Sequence, residues 1–463
     1  MNFKGRTDHL SLGKSLFDPV EPVMCENIRV RYFNQDAAFS VGLLGLSAAQ
    51  IEHHFGRFEP LPGSLQKPLA LRYHGHQFQV YNPNLGDGRG FLFAQCIELG
   101  GTSRLLDFGT KGTGITPYSR SGDGRLTLKG AVRELLATSM LESQGVPTSR
   151  TFAIVEDLDT ELYRGDEPSP ARSAMLTRLS HSHIRIGTFQ RLAFEKRADL
   201  MEHLVRYVLT HYYRIDDQRL GIIEAVQILL REIVRRKALT LAGWMMAGFV
   251  HGVLNTDNIN ITGESFDYGP WRWLPTYDGK FTAAYFDNNG LYAYGRQPRA
   301  VSWNLTALAS ALSILHTNTV PLQTILSEFG DLLQAASISQ FFWRTRLHSS
   351  GDFATDTKLA EALLSELREE QLPFEDLFYY FSTDQREHLS QRMRSLSEGW
   401  SGYPVEHKSE TMLLTEVEDL WQEIAARDNW DPLNDKIRRL REIYEKRCAW
   451  EAPSVKNMEE QQL

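Results

Sequence analysis

The chain is expected to be an α+β protein of two lobes, a mixed amino-terminal lobe with a β-sheet and a mostly helical carboxy-terminal lobe with a helical extension. Three observations lead there. At 463 residues it exceeds the length at which one hydrophobic core stops growing. Its first 180 residues intersperse strand-like apolar runs with glycine and proline turns, whereas from about residue 198 apolar residues recur at helical spacing. A long apolar helix then delivers the chain into a polar stretch, HGVLNTDNINITGESFDYGP (251–270), that carries Asp257, Asn258 and Asp267. The corresponding division is 1–180 for an N-terminal wrap and lobe with glycine-rich loops, 181–450 for the helical lobe with catalytic and metal-binding loops, and 451–463 for a disordered tail.

Composition narrows the classes. Hydrophobic residues make up 42% and charged residues 23%, with 9 Trp, 17 Tyr and 24 Phe, as in an ordinary soluble globular protein. A net charge of −8 argues against a dedicated nucleic-acid binder. Cys25, Cys96 and Cys448 lie far apart and form no CxxC pair, which speaks against a disulfide framework or a zinc site. No apolar run approaches the ~20 residues that span a bilayer, and the N-terminus lacks a signal-peptide core. A cytoplasmic protein without membrane contact is expected, a mitochondrial one being the alternative.

Taken in order, residues 1–70 read as an irregular wrap, with IRVRYF (28–33) alternating like a strand and a helix near 47–55. In YHGHQF, His74 and His76 read as hydrogen-bonding histidines, since no third metal ligand is near. The segment 90–99 has strand composition and follows NPNLGDGR, predicting a strand–turn–strand with Gly86 and Gly88 in the turn. Such glycines let backbone N–H groups approach phosphates, and Arg89 adds a fork for their oxygens. A plain turn would need the same residues.

A second strand, 104–111, ends on Lys111, and a helix from about 127 to 143 carries Glu134 and stops at Gly145 and Pro147. Between them stands a second Gly-Asp-Gly-Arg, 122–125, with Asp123 and Gly124. A strand lysine held by a helix glutamate is how kinase folds grip nucleotide phosphates. Arg178 and Arg185, seven residues apart in LTRLSHSHIRIG, would clamp anions if both faced one cleft.

Amphipathic helices follow at 198–213 and from 222, the second continuing through LTLAGWMMAGFV to His251. A buried helix leading into a loop with Asn258, a strand-like INIT (259–262) and then Asp267-Tyr-Gly is the order of a protein-kinase-like two-lobe fold, in which such an amide and carboxylate hold Mg²⁺. Valine, Val253, stands where the kinase base belongs, so Asp257 is the nearest carboxylate able to take a proton from an attacking hydroxyl. Helices over 305–450, with Leu305, Leu308, Leu312 and Leu315 on one face and Leu359, Leu363 and Leu367 on another, are expected to complete the helical lobe.

Together, HGHQF and LGDGRG (74–90), KGTGITPYSRSGDGR (111–125), GVPTSR (145–150), LTRLSHSHIRIGTFQ (176–190), HGVLNTDNINITGESFDYGP (251–270) and WNLTALASAL (303–312) resemble the selenoprotein O family of pseudokinase-fold protein adenylyltransferases, as a member without selenocysteine. The resemblance covers roughly residues 12–400. It implies ATP bound in an orientation inverted relative to kinases, with AMP moving to a Ser, Thr or Tyr hydroxyl of a protein and pyrophosphate released. It further implies that Gly86, Gly88, Arg89, Lys111, Asp123, Gly124, Arg178 and Arg185 contact ATP, that Glu134 positions Lys111, that Asn258 and Asp267 bind Mg²⁺ or Mn²⁺ with Asp267 also on the nucleotide side, and that Asp257 is the proton acceptor. QVYNPN (79–84) and LKGAV (128–132) depart from the usual family wording, and the tail offers only Cys448 where members often carry a Cys or selenocysteine, so redox control there is not expected.

Two other functions fit the residues: a kinase using Asp257 as base, and a nucleotide-binding scaffold without activity. Val253 and the paired GDGR loops separate the transferase from the first, and the full set of phosphate and metal ligands opposes the second. The expected partners are ATP and hydroxyl-bearing proteins, with the chain itself a monomer.

Overall fold

The computed structural model describes residues 2–448 except 166 and 317. Its architecture is mixed α+β, a multistranded sheet followed by a helical region. The main sheet runs in the order Phe17–Pro19, Leu69–Leu71, Leu92–Ile97, Leu105–Lys111, Ala171–Ser180, Arg150–Leu162, Ile28–Phe33, every neighbouring pair being antiparallel. Both faces are covered, so Leu105–Lys111 is buried along its whole length, its Asp107, Thr110 and Lys111 included. Ile154 and Leu176 point to the side of helix Leu128–Ser143. Their neighbours Val155 and Met175 point to the other side, into a phenylalanine-rich layer of Phe55, Phe93, Phe108 and Phe152. Helix Ala48–Phe55 supplies part of that second layer, which gives the N-terminal wrap its role: it buries the back of the sheet.

Helix Leu128–Ser143 starts where Thr127 accepts a hydrogen bond from Gly130 N–H at 3.1 Å, an N-cap. The segment Ala198–Tyr207 is α-helical and continues as a π-turn over Val208–Tyr213. Helix Ile222–Ala247 ends at Gly248, whose φ of 68° is left-handed, as a helix C-terminus commonly requires. Strand Phe249–His251 follows at once and pairs with Trp271–Trp273, His251 opposite Trp271. Residues 252–270 are therefore an excursion pinned at both ends.

Three expectations are corrected. INIT (259–262) is not a full strand: it makes one isolated antiparallel bridge, Asn260 opposite Arg185, while Asn260 donates from Nδ2 to Ser182 O at 2.6 Å and caps the Thr262 N–H with its Oδ1 at 3.0 Å, which turns the chain. Gly86 and Gly88 do not join two paired strands, because Val80–Asn82 pairs back onto Gly75–Gln77 while Leu92–Ile97 pairs with Leu69–Leu71 and Leu105–Lys111. Finally, the last two helices, Leu414–Arg427 and Asp431–Cys448, lie on the back of helix Leu128–Ser143 rather than among the helices that precede them. Val417, Ile424, Leu433 and Leu440 are buried there in the same core as Leu128 and Leu135. At roughly 1.5–3 kcal/mol for each fully buried aliphatic side chain, this apolar seam outweighs a part-buried ion pair such as Lys129–Glu418.

No helix among the described residues is long and apolar enough to cross a membrane. The expected tail, 451–463, lies outside the described residues.

One of the buried cations of the docked extension is Lys436. Lys436 Nζ lies 2.6 Å from Glu410 Oε2, 2.6 Å from Glu416 Oε1 and 2.7 Å from Thr411 O. Replacing it (Lys436→Ala) takes the counter-charge from Glu416 and leaves Glu410 with Arg439 alone, and a loss of about 3 kcal/mol in unfolding free energy is expected. Urea denaturation measures it, and a loss below about 0.5 kcal/mol would show that the seam is held by apolar contact alone.

Candidate active site

A cleft of about 740 Å³ opens between the sheet and the 252–270 excursion, lined on one side by the two GDGR loops and on the other by Asp257, Asn258 and Asp267. The loops interlock. Ser119 Oγ donates to Gly88 O, Thr116 Oγ1 to Asp87 O, and Tyr118 lies across the first turn. A Cβ on Gly86 would sit 2.3 Å from the Tyr118 ring, and one on Gly124, at φ 69°, 2.1 Å from Gly114 O. The glycines thus admit the neighbouring loop as well as leaving the cleft wall bare.

Behind this wall lies a knot of charge. Lys111 Nζ is 2.6 Å from Glu134 Oε2; Arg178 Nη1 is 3.2 Å from Glu134 Oε1 and 2.8 Å from Asp267 Oδ1. Arg185 Nη1 bonds Asp267 Oδ2 and, at 2.8 Å, the carbonyl of Asp257, while its Nη2 is 3.3 Å from Asp87 Oδ1. The Arg185 guanidinium is held between the Tyr73 and Phe266 rings, 4.6 and 4.8 Å from their centroids. Three cations therefore meet three carboxylates, with little water to screen them. Burial alone would raise the Asp267 carboxyl, but Arg178, Arg185 and Lys111 outweigh it and hold the group well below the usual carboxylate range. Burial pulls Lys111 below its ordinary value, with Glu134 opposing. Asp267 also adopts φ 61°, left-handed for a non-glycine residue, a conformation that persists only where surrounding bonds impose it.

Asp257 is different. It lies on the short 3₁₀ turn Thr256–Asn258, only 8% exposed, and its Oδ1 has no hydrogen-bond partner among the described residues. Burial pushes its carboxyl up to about 6, partly opposed by Arg185. Hairpin Gly75–Gln77/Val80–Asn82 fixes the turn from above: His76 N–H donates to Thr256 Oγ1 at 2.7 Å and Phe78 N–H to Asn255 Oδ1 at 3.0 Å. The two histidines are hydrogen-bonded, as expected: His74 Nδ1 to Tyr81 OH at 2.7 Å and His76 Nδ1 to Gln190 Nε2 at 2.8 Å.

The donor set suits a hard divalent cation. Asn258 Nδ2 donates to Val253 O at 2.9 Å, which leaves its Oδ1 as the atom available to the cleft, on the same wall as the Asp267 carboxylate. Two such oxygens, completed by phosphate and water, make an ordinary Mg²⁺ or Mn²⁺ site. Three cations already crowd Asp267, so an ion there gains most when a polyanionic phosphate chain enters with it.

Gly86, Gly88, Arg89, Lys111, Asp123, Gly124, Arg185, Asp257, Asn258 and Asp267 all line this one cleft. Arg178 and Glu134 do not; they stand one layer behind and reach it through Asp267 and Lys111. The two tetrads are not equivalent. Asp123 faces outward and is held by Arg164 at 2.8 and 3.0 Å. Asp87, which sequence reasoning passed over, points inward to Arg185 and accepts Leu71 N–H at 3.0 Å. Treating the repeat symmetrically would have flagged Asp87. Nothing local in the sequence would have flagged Tyr73 or Phe266.

A family model described as protein adenylyltransferase SelO matches residues 1–442, beyond the 12–400 span the motifs marked on both sides. Among similar proteins, one from a Synechocystis species is 39% identical over 469 residues, covering 93% of this chain and 96% of its own. One from Synechococcus elongatus is 40% identical over 477 residues, 93% of each chain. One from Vibrio cholerae is 37% identical over 314 residues, 66% of this chain and 60% of its own. All three bear the name protein nucleotidyltransferase YdiU.

The buried Asp257 carries a stability cost with a definite sign. Its carboxyl ionises near pH 4 in an unfolded chain, as about 3.9 is usual, and at about 6 when folded. The folded state is then the better proton binder, so the penalty is absent below about pH 4, grows up to about pH 6 and stays constant above, at roughly 2–3 kcal/mol. Asp257→Asn is expected to raise the melting temperature at pH 8 and to raise it less at pH 5. Thermal unfolding at both values checks this; a variant no more stable than the wild type at pH 8 would contradict it.

Proposed function

The chain belongs to the protein adenylyltransferase SelO family, and from that premise and the geometry of the cleft we propose that it transfers AMP from ATP to Ser, Thr or Tyr hydroxyls of proteins, releasing pyrophosphate. The observation that carries this reading is Asp257 lining the cleft beside the cation-bound Asp267, its Oδ1 without a hydrogen-bond partner among the described residues, with Val253 at the position of the kinase base. The order of strand lysine, helix glutamate, Asn258 and Asp267 supports a kinase-like two-lobe arrangement. The missing kinase base supports attack at a different phosphorus, with ATP inverted.

In this mechanism the acceptor hydroxyl hydrogen-bonds Asp257, whose proton affinity near neutrality suits a general base. The hydroxyl oxygen attacks the α-phosphorus, its proton passes to Asp257, and the bond to the β-phosphate oxygen breaks. Lys111 and Arg185 form the cationic end of the cleft, which orients the triphosphate and receives the charge of the departing pyrophosphate, and Arg178 backs them through Asp267 and Glu134. Glu134 keeps Lys111 extended toward it. Asn258 and Asp267 would hold Mg²⁺ or Mn²⁺, which when bound neutralises phosphate charge.

ATP labelled separately at the α- and γ-phosphates decides the reaction. Label is expected on protein from the α position only; transfer from the γ position alone would make the enzyme a kinase. Asp257→Ala should retain nucleotide binding and lose about 10²–10⁴-fold in transfer rate, as removal of a general base does.

A further inference from the structure

Six cationic side chains line the cleft: Arg89, Lys111, Arg120, Arg125, Arg164 and Arg185. Four are answered by carboxylates, Lys111 by Glu134, Arg185 by Asp267 and Asp87, Arg125 by Asp157, and Arg164 by Asp123. Among the described residues that leaves Arg89 and Arg120 without an ion pair. The two act at different ends. Arg89 is fastened to the end of the lysine strand, its carbonyl accepting Gly112 N–H at 2.6 Å, whereas Arg120 stands in the second loop of the cleft that Asp257 also lines, and its charge acts on Asp257.

Arg120 is also aimed. Its φ is 54°, left-handed for a non-glycine residue, in a turn fastened on both sides: Thr116 N–H donates to Ser119 Oγ at 2.8 Å and Gly122 N–H to Ser119 O at 2.8 Å, while Ser119 Oγ reaches the first loop at Gly88 O. Those bonds impose the conformation, and they hold the exposed Arg120 in the lining of the cleft that Asp257 shares.

We propose that Arg120 is a further catalytic residue, an arginine supplied by the second glycine loop that donates to the non-bridging oxygens of the α-phosphoryl group as it is transferred. The inference rests on the transferase reading above. A hydroxyl poised on Asp257 stands roughly 3–3.5 Å from the phosphorus it attacks, so a cation that acts on Asp257 from the cleft also faces that phosphorus. As the new P–O bond forms and the bond to pyrophosphate breaks, charge on the α-phosphoryl oxygens is shared with the planar donor fork, which lysine cannot reproduce in full. The proton still goes to Asp257, and Arg120 is unchanged at the end. The group acts on the transition state more than on bound ATP, in contrast to Arg89.

The test uses Arg120→Asn, because asparagine tolerates left-handed φ and keeps the turn, with Arg120→Lys as the conservative partner. Single-turnover transfer from α-labelled ATP and affinity for the α,β-methylene analogue of ATP with Mg²⁺ are measured side by side. Expected are a rate lower by about 10²–10³-fold in Arg120→Asn, partial recovery in Arg120→Lys, and analogue affinity within about threefold of wild type. Unchanged transfer in Arg120→Asn would overturn the assignment. So would affinity falling in step with rate, which would make Arg120 a ground-state nucleotide ligand. Absence of α-label transfer by the wild-type protein would instead sink the transferase reading itself, which separates the two failures.

Discussion

The position of Asp267 governs the rest of the cleft. Its carboxylate is gripped by Arg178 and Arg185 with Lys111 3.9 Å away, and the same Arg178 reaches Glu134 on the helix. One carboxylate therefore ties together the strand Leu105–Lys111, the strand Ala171–Ser180, the start of helix Ile186–Phe194 and the 252–270 excursion. In so dry a place an unpaired charge costs several kcal/mol, so each member fixes the others. Asp267 keeps its left-handed backbone because two guanidiniums hold its side chain in place.

That knot depends in turn on where helix Leu128–Ser143 sits, since Glu134 is its only carboxylate in the knot. The helix is clamped from both sides. Its inner face packs on the sheet, and its outer face is covered by Leu414–Arg427 and Asp431–Cys448. Arg447, buried near the end of the chain, donates to Ser143 O at 3.0 Å, and Trp273 Nε1 bonds Gln144 Oε1 at 3.0 Å just past the helix end. A covalently attached layer therefore sits on the outer face of this helix and opposes its displacement from the sheet.

Most of this was legible in the sequence where chemistry and period coincide. Lys111 ends a strand, Glu134 sits mid-helix, and Asp257, Asn258 and Asp267 follow a long helix, so element and residue type identify each other. The legible part fails where a side chain's fate depends on a distant partner. Arg178 and Arg185 differ in nothing local, yet one is sealed behind Asp267 and the other lines the cleft. The two GDGR tetrads are identical in sequence, yet Asp87 is drawn inward by Arg185 and Asp123 outward by Arg164. The helices beyond residue 400 announce their apolar faces by period, but period does not say which lobe those faces will cover.

The two acidic groups of the excursion divide the work through their surroundings. Asp267 and Asp257 lie ten residues apart on one loop and share Arg185, whose Nη1 bonds a carboxylate oxygen of the first and only the backbone carbonyl of the second. The first is thereby fixed as an anion at any ordinary pH, fit to hold cations. The second is buried without a side-chain partner and held near the pH at which it can exchange a proton. Giving Arg185 to the Asp257 side chain would have stabilised the folded protein and removed its proton affinity, so an arginine bonded to the carbonyl positions the turn while leaving the carboxylate available. Burial raises one of these like residues while Arg178, Arg185 and Lys111 hold the other down, which gives a single loop one carboxylate suited to a cation and one suited to a proton.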